Sequence, residues 1–489
     1  MNAVDYFFSE SKNSNELFIL NDNEQISHAL LYENVIKLAT YFRDEFGIGE
    51  NIILYSGNSY FFVLSYLAII KSGNICVPIN PAAKKEITGF IFEETKPKLC
   101  VVQEKSKSNV ADFDITSFTE GDAKDIVENQ QIKIGNLKSD DKFDTEQTAE
   151  LIYTSGSTAL PKGVMLSHKN LIANTSSIVE YLKLTKTDKV LVVLPFYYCY
   201  GLSLMHTHLK VGGAIAFNNT FMFIGTVINN LKKYECTGFS GVPSHFQILL
   251  RKSDSFKKTE FPHLRYVTQA GGKLHATFIS EFIESFPKVK FWVMYGQTEA
   301  TARLSYLSPE FLPEKLGSLG KAIPGVTLEI LSEEGQLVAE GEVGEIVASG
   351  DNIMKGYYND PELTQKTLKD GKLYTGDLAK KDKDGFIYLT ARKKEIIKVG
   401  GERVSPKEIE EVIVSFKEVV DCTIEGVFDE VLGEKIKATI VVNSINDKVR
   451  LEKDILNHCK QYLSPIKIPQ QIIFEQQVKV NAAGKKVKQ

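Results

Sequence analysis

The 489-residue chain is short of cysteine, carries a single tryptophan, has no excess of either charge and no long apolar run. Each shortage excludes something. The six cysteines, Cys76, Cys100, Cys199, Cys236, Cys422 and Cys459, stand far apart with no C-x-x-C pair. That spacing disfavours a zinc site or a disulfide framework and makes reduced thiols in the cytoplasm the expectation. With 58 Lys and Arg against 62 Asp and Glu, the net charge is −4, which gives no reason to expect nucleic-acid binding. The longest apolar run, Phe61 to Ile70 with Ser65 inside it, is about half of a ~20-residue membrane span, so it reads as a buried helix and no span is expected. The N-terminus, MNAVDYFFSESKNS, has no basic leader before an apolar core and is not expected to be a signal peptide.

What remains is an ordinary globular composition, 43% hydrophobic and 25% charged, in a chain long enough for two or three domains. Residues Asn51–Tyr55, a Ser-Gly-Asn-Ser turn, a helix to Lys71, a stop at Gly73 and a strand Ile75–Ile79 form a strand–helix–strand unit. An amphipathic helix is expected over Asn34–Phe46, and 104–150, polar and acidic, reads as irregular connection. Ser167 caps a helix through Leu182 whose apolar residues keep helical spacing. Strand-like segments then recur at Val190–Leu194, Ala214–Phe217, Phe239–Val242, Leu264–Thr268 and Phe291–Met294, with helix-like stretches between them. That alternation predicts an α/β fold with mostly parallel sheets. Glycine turns and short strands from Gly317 to Leu389, with a hairpin turn at Asp384-Gly385, add a β-rich subdomain. Beyond Arg392 a smaller α+β unit follows, in which Ser405-Pro406-Lys407-Glu408 predicts a capping box opening a helix through Phe416.

The chemistry-bearing stretch is Tyr153 to Val164, YTSGSTALPKGV. Its glycine lets backbone N–H groups approach anionic oxygens, Thr154, Ser155, Ser157 and Thr158 add hydroxyl donors beside Gly156, and Lys162 supplies a mobile positive charge. Such a loop suits polyphosphate. It is not a Walker P-loop, because Gly163 follows the lysine. Further on stand Ala270-Gly271-Gly272 at a strand end, Tyr295-Gly296-Gln297-Thr298-Glu299 after another, Gly350 to Tyr358 (GDNIMKGYY), Tyr374-Thr375-Gly376-Asp377, and LTARKKEIIKVGGERVSPKEIE around Arg392.

Together these motifs resemble the adenylate-forming enzymes, which include acyl-CoA synthetases, aryl-CoA ligases, firefly-type luciferases and the adenylation domains of peptide synthetases. The resemblance covers nearly the whole chain. It implies that ATP activates a carboxylic acid as an acyl-adenylate and that a thiol, CoA or the phosphopantetheine of an acyl carrier protein, then takes the acyl group. It also implies a large N-terminal domain (1–391), a hinge (392–394) at Lys394 and a small mobile C-terminal domain (395–489). By resemblance, Thr298 contacts phosphate, Glu299 holds magnesium, and Tyr295, Gly296 and Gln297 flank the adenine. Asp377 takes the ribose, Arg392 reaches the ribose or phosphate, and the Gly350 to Tyr358 stretch is structural and places that ribose region. Lys398, Gly400 and Gly401 border the thiol tunnel, and Lys485, after Gly484, is the adenylation lysine.

Departures from the family pattern are Ala159 for glycine in the loop, Lys273 and Leu274 after the Gly-Gly pair, Tyr198 where many acyl-CoA synthetases have histidine, and Ala391 before the arginine. Amino-acid-activating relatives place an aspartate where this chain has Tyr197, so an α-amino acid is not expected. Tyr197, Tyr198, Tyr200, Ser240, Gly241 and Val242 are candidates for the acyl pocket. His206 and His208 alternate on one face, but no further ligands are spaced for a metal. A catalytically silent nucleotide binder is the alternative from another class.

Overall fold

The structure, a computed structural model, describes the chain apart from Asn23, 130–136, 138–142, 155–159, Met222, Val431, 443–446 and 482–489, and apart from the Lys394 side chain. Ser59 accepts a hydrogen bond from the Phe62 amide and so starts the helix Tyr60–Ser72. Gly73, at φ 88°, ends it by donating to the carbonyls of Ile69 and Ile70. Asn51–Tyr55 and Ile75–Ile79 then lie parallel on either side of the crossover. Twelve residues of this helix are buried, as its apolar composition on every face allows.

Among the described residues, those two strands form the middle of a seven-stranded sheet. Thr148–Thr154 joins it in parallel and Lys162–Ser167 antiparallel, so the strands that bracket the phosphate-loop sequence form one hairpin. A nine-stranded sheet carries Lys189–Val192, Ala214–Phe217, Gly238–Gly241, Tyr266–Gln269 and Lys290–Tyr295 in parallel, with antiparallel strands at both edges. One apolar cluster takes in Ile52 and Leu54 of the first sheet, Val190 and Val192 of the second, and Phe62 and Leu67 of the buried helix. Truncating Phe62, fully buried, would cost about 3–5 kcal/mol.

A five-stranded antiparallel sheet, including Val326–Leu331, Gly344–Gly350, Lys372–Lys381 and Ile387–Arg392, forms the β-rich subdomain. Lys393–Glu395 makes one 3-10 turn, and the chain enters the last sheet, built on the hairpin of Val419–Asp429 with Gly433–Val442 and covered by helices Pro406–Ser415 and Lys448–Tyr462. A cavity of about 340 Å³ lies at this joint, lined in part by Leu378, Ala391, Lys393, Ile396 and Val404. The smaller domain docks on helices Pro243–Arg251 and Ala276–Ser285 of the larger one. Arg251 Nη1 donates to the carbonyls of Val414 and Val419, Gln247 Nε2 to Asp421 at 2.9 Å, and Glu411 receives the Ala276 amide at 2.7 Å and His275 Nδ1 at 3.0 Å.

Four expectations change. The segment 104–150 is not wholly irregular, because Thr119 and Asp122 form a capping box that starts a helix Glu120–Glu128. That helix buries only Ala123, too little apolar surface to stand out by periodicity. The helix expected from Asn34 begins at His28, where Ser27 accepts from the Leu30 amide. The helix from Pro406 forms without the capping box, since Ser405 Oγ donates to the Thr390 carbonyl and Glu408 pairs with Lys467. His206 and His208 sit on a helix, Cys199–Val211, where positions two apart do not share a face. His206 stacks on Phe7 and bonds Tyr66, and His208 bonds the Leu204 carbonyl.

Candidate active site

The ends of Gly238–Gly241, Tyr266–Gln269 and Lys290–Tyr295 point the same way, as in other parallel sheets that bind ligands past their carboxyl ends. Gly241, the Ala270 to Gly272 turn and the Tyr295 to Glu299 turn therefore gather at one edge. Gly271, at φ 84°, needs the left-handed freedom of glycine, and the Gly272 carbonyl accepts from Gln269 Nε2 at 2.7 Å. At Gly296 a side chain would collide with the backbone, since an added Cβ would lie 2.2 Å from the Ala302 carbonyl oxygen and 2.7 Å from Arg303 Cα.

On the phosphate side, Thr154 and Lys162 face each other across the hairpin, while Ser155, Gly156, Ser157, Thr158 and Ala159 lie outside the described residues. Lys162 Nζ stands 5.5 Å over the ring of Tyr357, and the Tyr357 hydroxyl donates to Glu299 Oε1 at 2.7 Å. Burial and the Glu299 charge push the Tyr357 hydroxyl pKa up, so it stays a donor. The Met354 amide donates to the Glu299 carbonyl and the Tyr358 amide to that of Gly163. The Gly350 to Tyr358 stretch thus ties the lysine strand to the glutamate turn. At its start, Gly350 ends the strand Gly344–Gly350, which pairs with the strand that carries Tyr374 and Asp377. Tyr357 was missed as a site residue because its partner stands 58 positions away in sequence.

On the other side, Asp377 is 1% exposed and is shared by two donors, Tyr295 hydroxyl to Oδ2 at 2.8 Å and Arg392 Nε to Oδ1 at 2.8 Å. The Asp377 charge raises the Arg392 pKa beyond the ordinary arginine value, and burial with the same charge raises that of Tyr295. Tyr295, expected beside the adenine, spends its hydroxyl on Asp377. Asp377 and Arg392 meet because they are register partners across the hairpin of Lys372–Lys381 with Ile387–Arg392.

Cys199 Sγ lies 3.5 Å from Thr298 Oγ1, which brings the start of the Cys199–Val211 helix to the phosphate turn that Gln297 opens. Tyr200 is buried, with its hydroxyl bonded to Thr268 Oγ1 at 2.9 Å, and Ser240 Oγ meets the same Thr268 atom at 2.7 Å. Tyr197 and Tyr198 pack ring on ring at 5.0 Å, half-buried, and Val242 is buried in the core. Arg303, which the motifs do not single out, is 2% exposed with its guanidinium 4.1 Å over the Tyr200 ring. The signal for it was a lone charge among small residues in ATARLSY.

Lys398, Gly400 and Gly401 are not brought to these residues by any described contact. The glycines form the two-residue turn of the hairpin Ile397–Val399 with Glu402–Val404, at φ 56° and 85°, a turn that needs positive φ twice. The Gly400 amide donates to the Leu432 carbonyl and the Lys398 amide to Glu434, both within the smaller domain. Lys485 lies outside the described residues, and Lys394 is described by its backbone alone.

A sequence profile described as "AMP-binding enzyme" matches residues 8–358, and one described as "AMP-binding enzyme C-terminal domain" matches 408–485. The chain belongs to the AMP-binding enzymes. This AMP-binding enzyme is an acid–thiol ligase, which forms an acyl-adenylate with ATP and then a thioester. It is 30% identical over 484 residues to an oxalate–CoA ligase of Arabidopsis thaliana, covering 94% of this chain and 91% of that one. It is 33% identical over 352 residues to a long-chain-fatty-acid–CoA ligase of Bacillus subtilis, covering 70% and 61%. ATP-bound MatB from Rhodopseudomonas palustris matches it with a TM-score of 0.88 at 25% identity, over 99% of this chain and 96% of that one. No described helix is long and apolar enough to cross a membrane.

Proposed function

We propose that this enzyme joins a carboxylic acid to CoA, with both half-reactions served by the strand-end site. The observation that carries the reading is the two-sided arrangement of its charges. Lys162, Tyr357 and Glu299 stand on one side and Tyr295, Asp377 and Arg392 on the other, with the Thr298 turn between them. A nucleoside triphosphate asks for that pattern, positive charge and hydroxyls for its phosphates and a carboxylate for its ribose.

A carboxylate oxygen accepts two hydrogen bonds. Tyr295 and Arg392 take one on each oxygen of Asp377, which leaves one place on each for the two ribose hydroxyls. Lys162 and the hydroxyls of Thr154, Ser155, Ser157 and Thr158 hold the polyphosphate, with the Gly156 amide and Thr298 as further donors, while Gly271 and Gly272 lie along the base. The substrate carboxylate attacks the α-phosphorus and pyrophosphate leaves. Lys485 bridges carboxylate and α-phosphate as negative charge builds there.

Glu299 fits a magnesium ion. Tyr357 occupies Oε1, no side-chain bond to the other oxygen is found among the described residues, and magnesium is bound through one or two carboxylates together with substrate phosphates. The ion would neutralise charge on the phosphates.

In the second step the thiol attacks the acyl carbon and AMP leaves. For this the smaller domain turns about Lys394 and presents Lys398, Gly400 and Gly401. Names of relatives as CoA ligases favour CoA over a carrier protein. Six cysteines, five of them buried, favour the cytoplasm.

The test is product analysis after incubation with ATP, magnesium, CoA and a panel of acids. Equimolar AMP and acyl-CoA are expected. Acyl-adenylate that accumulates and is discharged by a phosphopantetheinylated carrier protein but not by CoA would refute the CoA assignment.

A further inference from the structure

Glu411 of the smaller domain meets three donors from four successive residues of the larger one. Lys273 Nζ lies 3.2 Å from Oε2, His275 Nδ1 lies 3.0 Å from the same oxygen, and the Ala276 amide donates to Oε1 at 2.7 Å. That amide opens the helix Ala276–Ser285, for which the preceding His275 supplies no side-chain cap. A helix start leaves amides unpaired and favours a negative charge, so Glu411 caps from across the domain boundary what the local sequence leaves open. His275 Nε2 also stands 3.8 Å from Glu410, which is buried and accepts from Lys407 Nζ and the Ile424 amide. The imidazole therefore sits between two neighbouring carboxylates of the helix Pro406–Ser415.

These donors follow directly on the turn proposed to lie along the base. Ala270-Gly271-Gly272 runs straight into Lys273, where this chain departs from the family pattern. The other docking helix starts against the same turn. A Cβ added at Gly272 would lie 3.4 Å from Pro243 Cγ, and Pro243–Arg251 carries Gln247 and Arg251, which bond the smaller domain. In this docking Lys398, Gly400 and Gly401 are exposed. Delivery of the thiol past them needs a second placement of the smaller domain, in which the contacts to Glu411 are broken.

We propose that Lys273 and His275 are positioning residues for the first half-reaction. Through Glu411 they hold the domain that carries Lys485 where the acyl-adenylate is formed, and they release it for the thioester step. This rests on the ligase reading above and assigns the docked arrangement to one of its two steps. Each half-reaction needs its own placement, so neither placement can be favoured by far. Loss of one charge-assisted hydrogen bond, discounted for the water that reaches a half-buried pair, then moves the balance about five- to tenfold.

The experiment times the two half-reactions separately in the full chain. Step one is acid-dependent exchange of labelled pyrophosphate into ATP, with acetate, butyrate, octanoate and benzoate as the acids. Step two is thioester formed from CoA and the synthetic adenylate of the best of these acids, which bypasses step one. Lys273→Ala and, independently, His275→Ala should slow exchange about five- to tenfold and leave the thioester step as fast as in the wild type or faster. Lys273→Arg, which keeps the pair, should retain exchange. Added to Glu411→Gln, Lys273→Ala should cost little more, because it acts through that carboxylate. Thermal unfolding shows whether each variant is folded, and if one of the two alanine variants is not, the other decides. Unchanged exchange, or a thioester step slowed as much as exchange in a folded variant, would overturn the assignment and leave the ligase reading intact. Exchange with no acid, or with none of the four in the wild type, would overturn both.

Discussion

Glu150 is buried and Glu411 half-buried, and their surroundings send them in opposite directions. Glu150, on the strand that leads into the phosphate loop, is fully buried. Burial pushes its pKa up to about 7, and the hydroxyl of Tyr66, 2.7 Å away, only partly offsets this. Glu411, at the contact between the domains, would also be raised by burial. There the hydrogen bond from His275, the charges of His275 and Lys273 and the Ala276 amide outweigh it and bring the pKa down to about 2. The difference is the supply of donors and positive charge. The floor under the phosphate loop offers one neutral hydroxyl, which suits packing that never opens. The domain contact is polar, with partners that water can replace, which suits a joint that is made and broken in the proposed second half-reaction.

Neither carboxylate touches the nucleotide residues, and the largest predicted effect separates the site from both. Asp377→Ala leaves Tyr295 and Arg392 without their shared acceptor and removes the ribose contact. ATP-dependent pyrophosphate release should fall about 100- to 1,000-fold, measured by steady-state kinetics. A smaller loss in that variant than in Glu150→Gln or Glu411→Gln would mean that the site has been misplaced.

The next effect is on stability. A carboxyl whose folded pKa is raised stabilises fully below its unfolded value near 4.5 and loses that contribution as pH rises to about 7. Glu150→Gln keeps an acceptor for Tyr66 and never ionises. It should therefore be more stable than the wild type at about pH 8, by on the order of 2–3 kcal/mol in denaturant melts, with the gain gone near pH 4.5. A gain of the same size at both pH values would break the contrast.

For Glu411 the sign is reversed. A depressed pKa gives stability that is present above about 4.5 and lost as pH falls towards 2. Glu411→Gln should loosen docking by about 1–2 kcal/mol, seen as faster tryptic cleavage at Lys393 and Lys394. The smallest effect tests the residue that orients the magnesium carboxylate. Tyr357→Phe removes one hydrogen bond to Glu299 and should lower pyrophosphate release by about fivefold, most visibly at low magnesium.

Much of this was legible in the chain itself. Asn51–Tyr55, Ala214–Phe217 and the helix from Ser167 to Leu182 match their sequence limits, because short apolar runs and a serine cap are local signals. Asp377 and Arg392 were named separately from motifs and turn out to be register partners across one hairpin. What was not legible depends on contacts distant in sequence. The link from Tyr357 to Glu299, the Arg303 cation over Tyr200, and the exchange of the Glu408 cap for Lys467 all arise from packing that no local pattern encodes. The two-glycine turn at Gly400 shows the reverse, since a residue type singled out for the thiol tunnel is also demanded by backbone geometry alone.

The measurement closest to the central claim is exchange of labelled pyrophosphate into ATP, with and without carboxylic acids, in the wild type and in Lys485→Ala. The account predicts exchange that requires an acid, needs no thiol, and falls by at least about 100-fold in the variant. Exchange without any acid, or a Lys485→Ala variant as fast as the wild type, would contradict it.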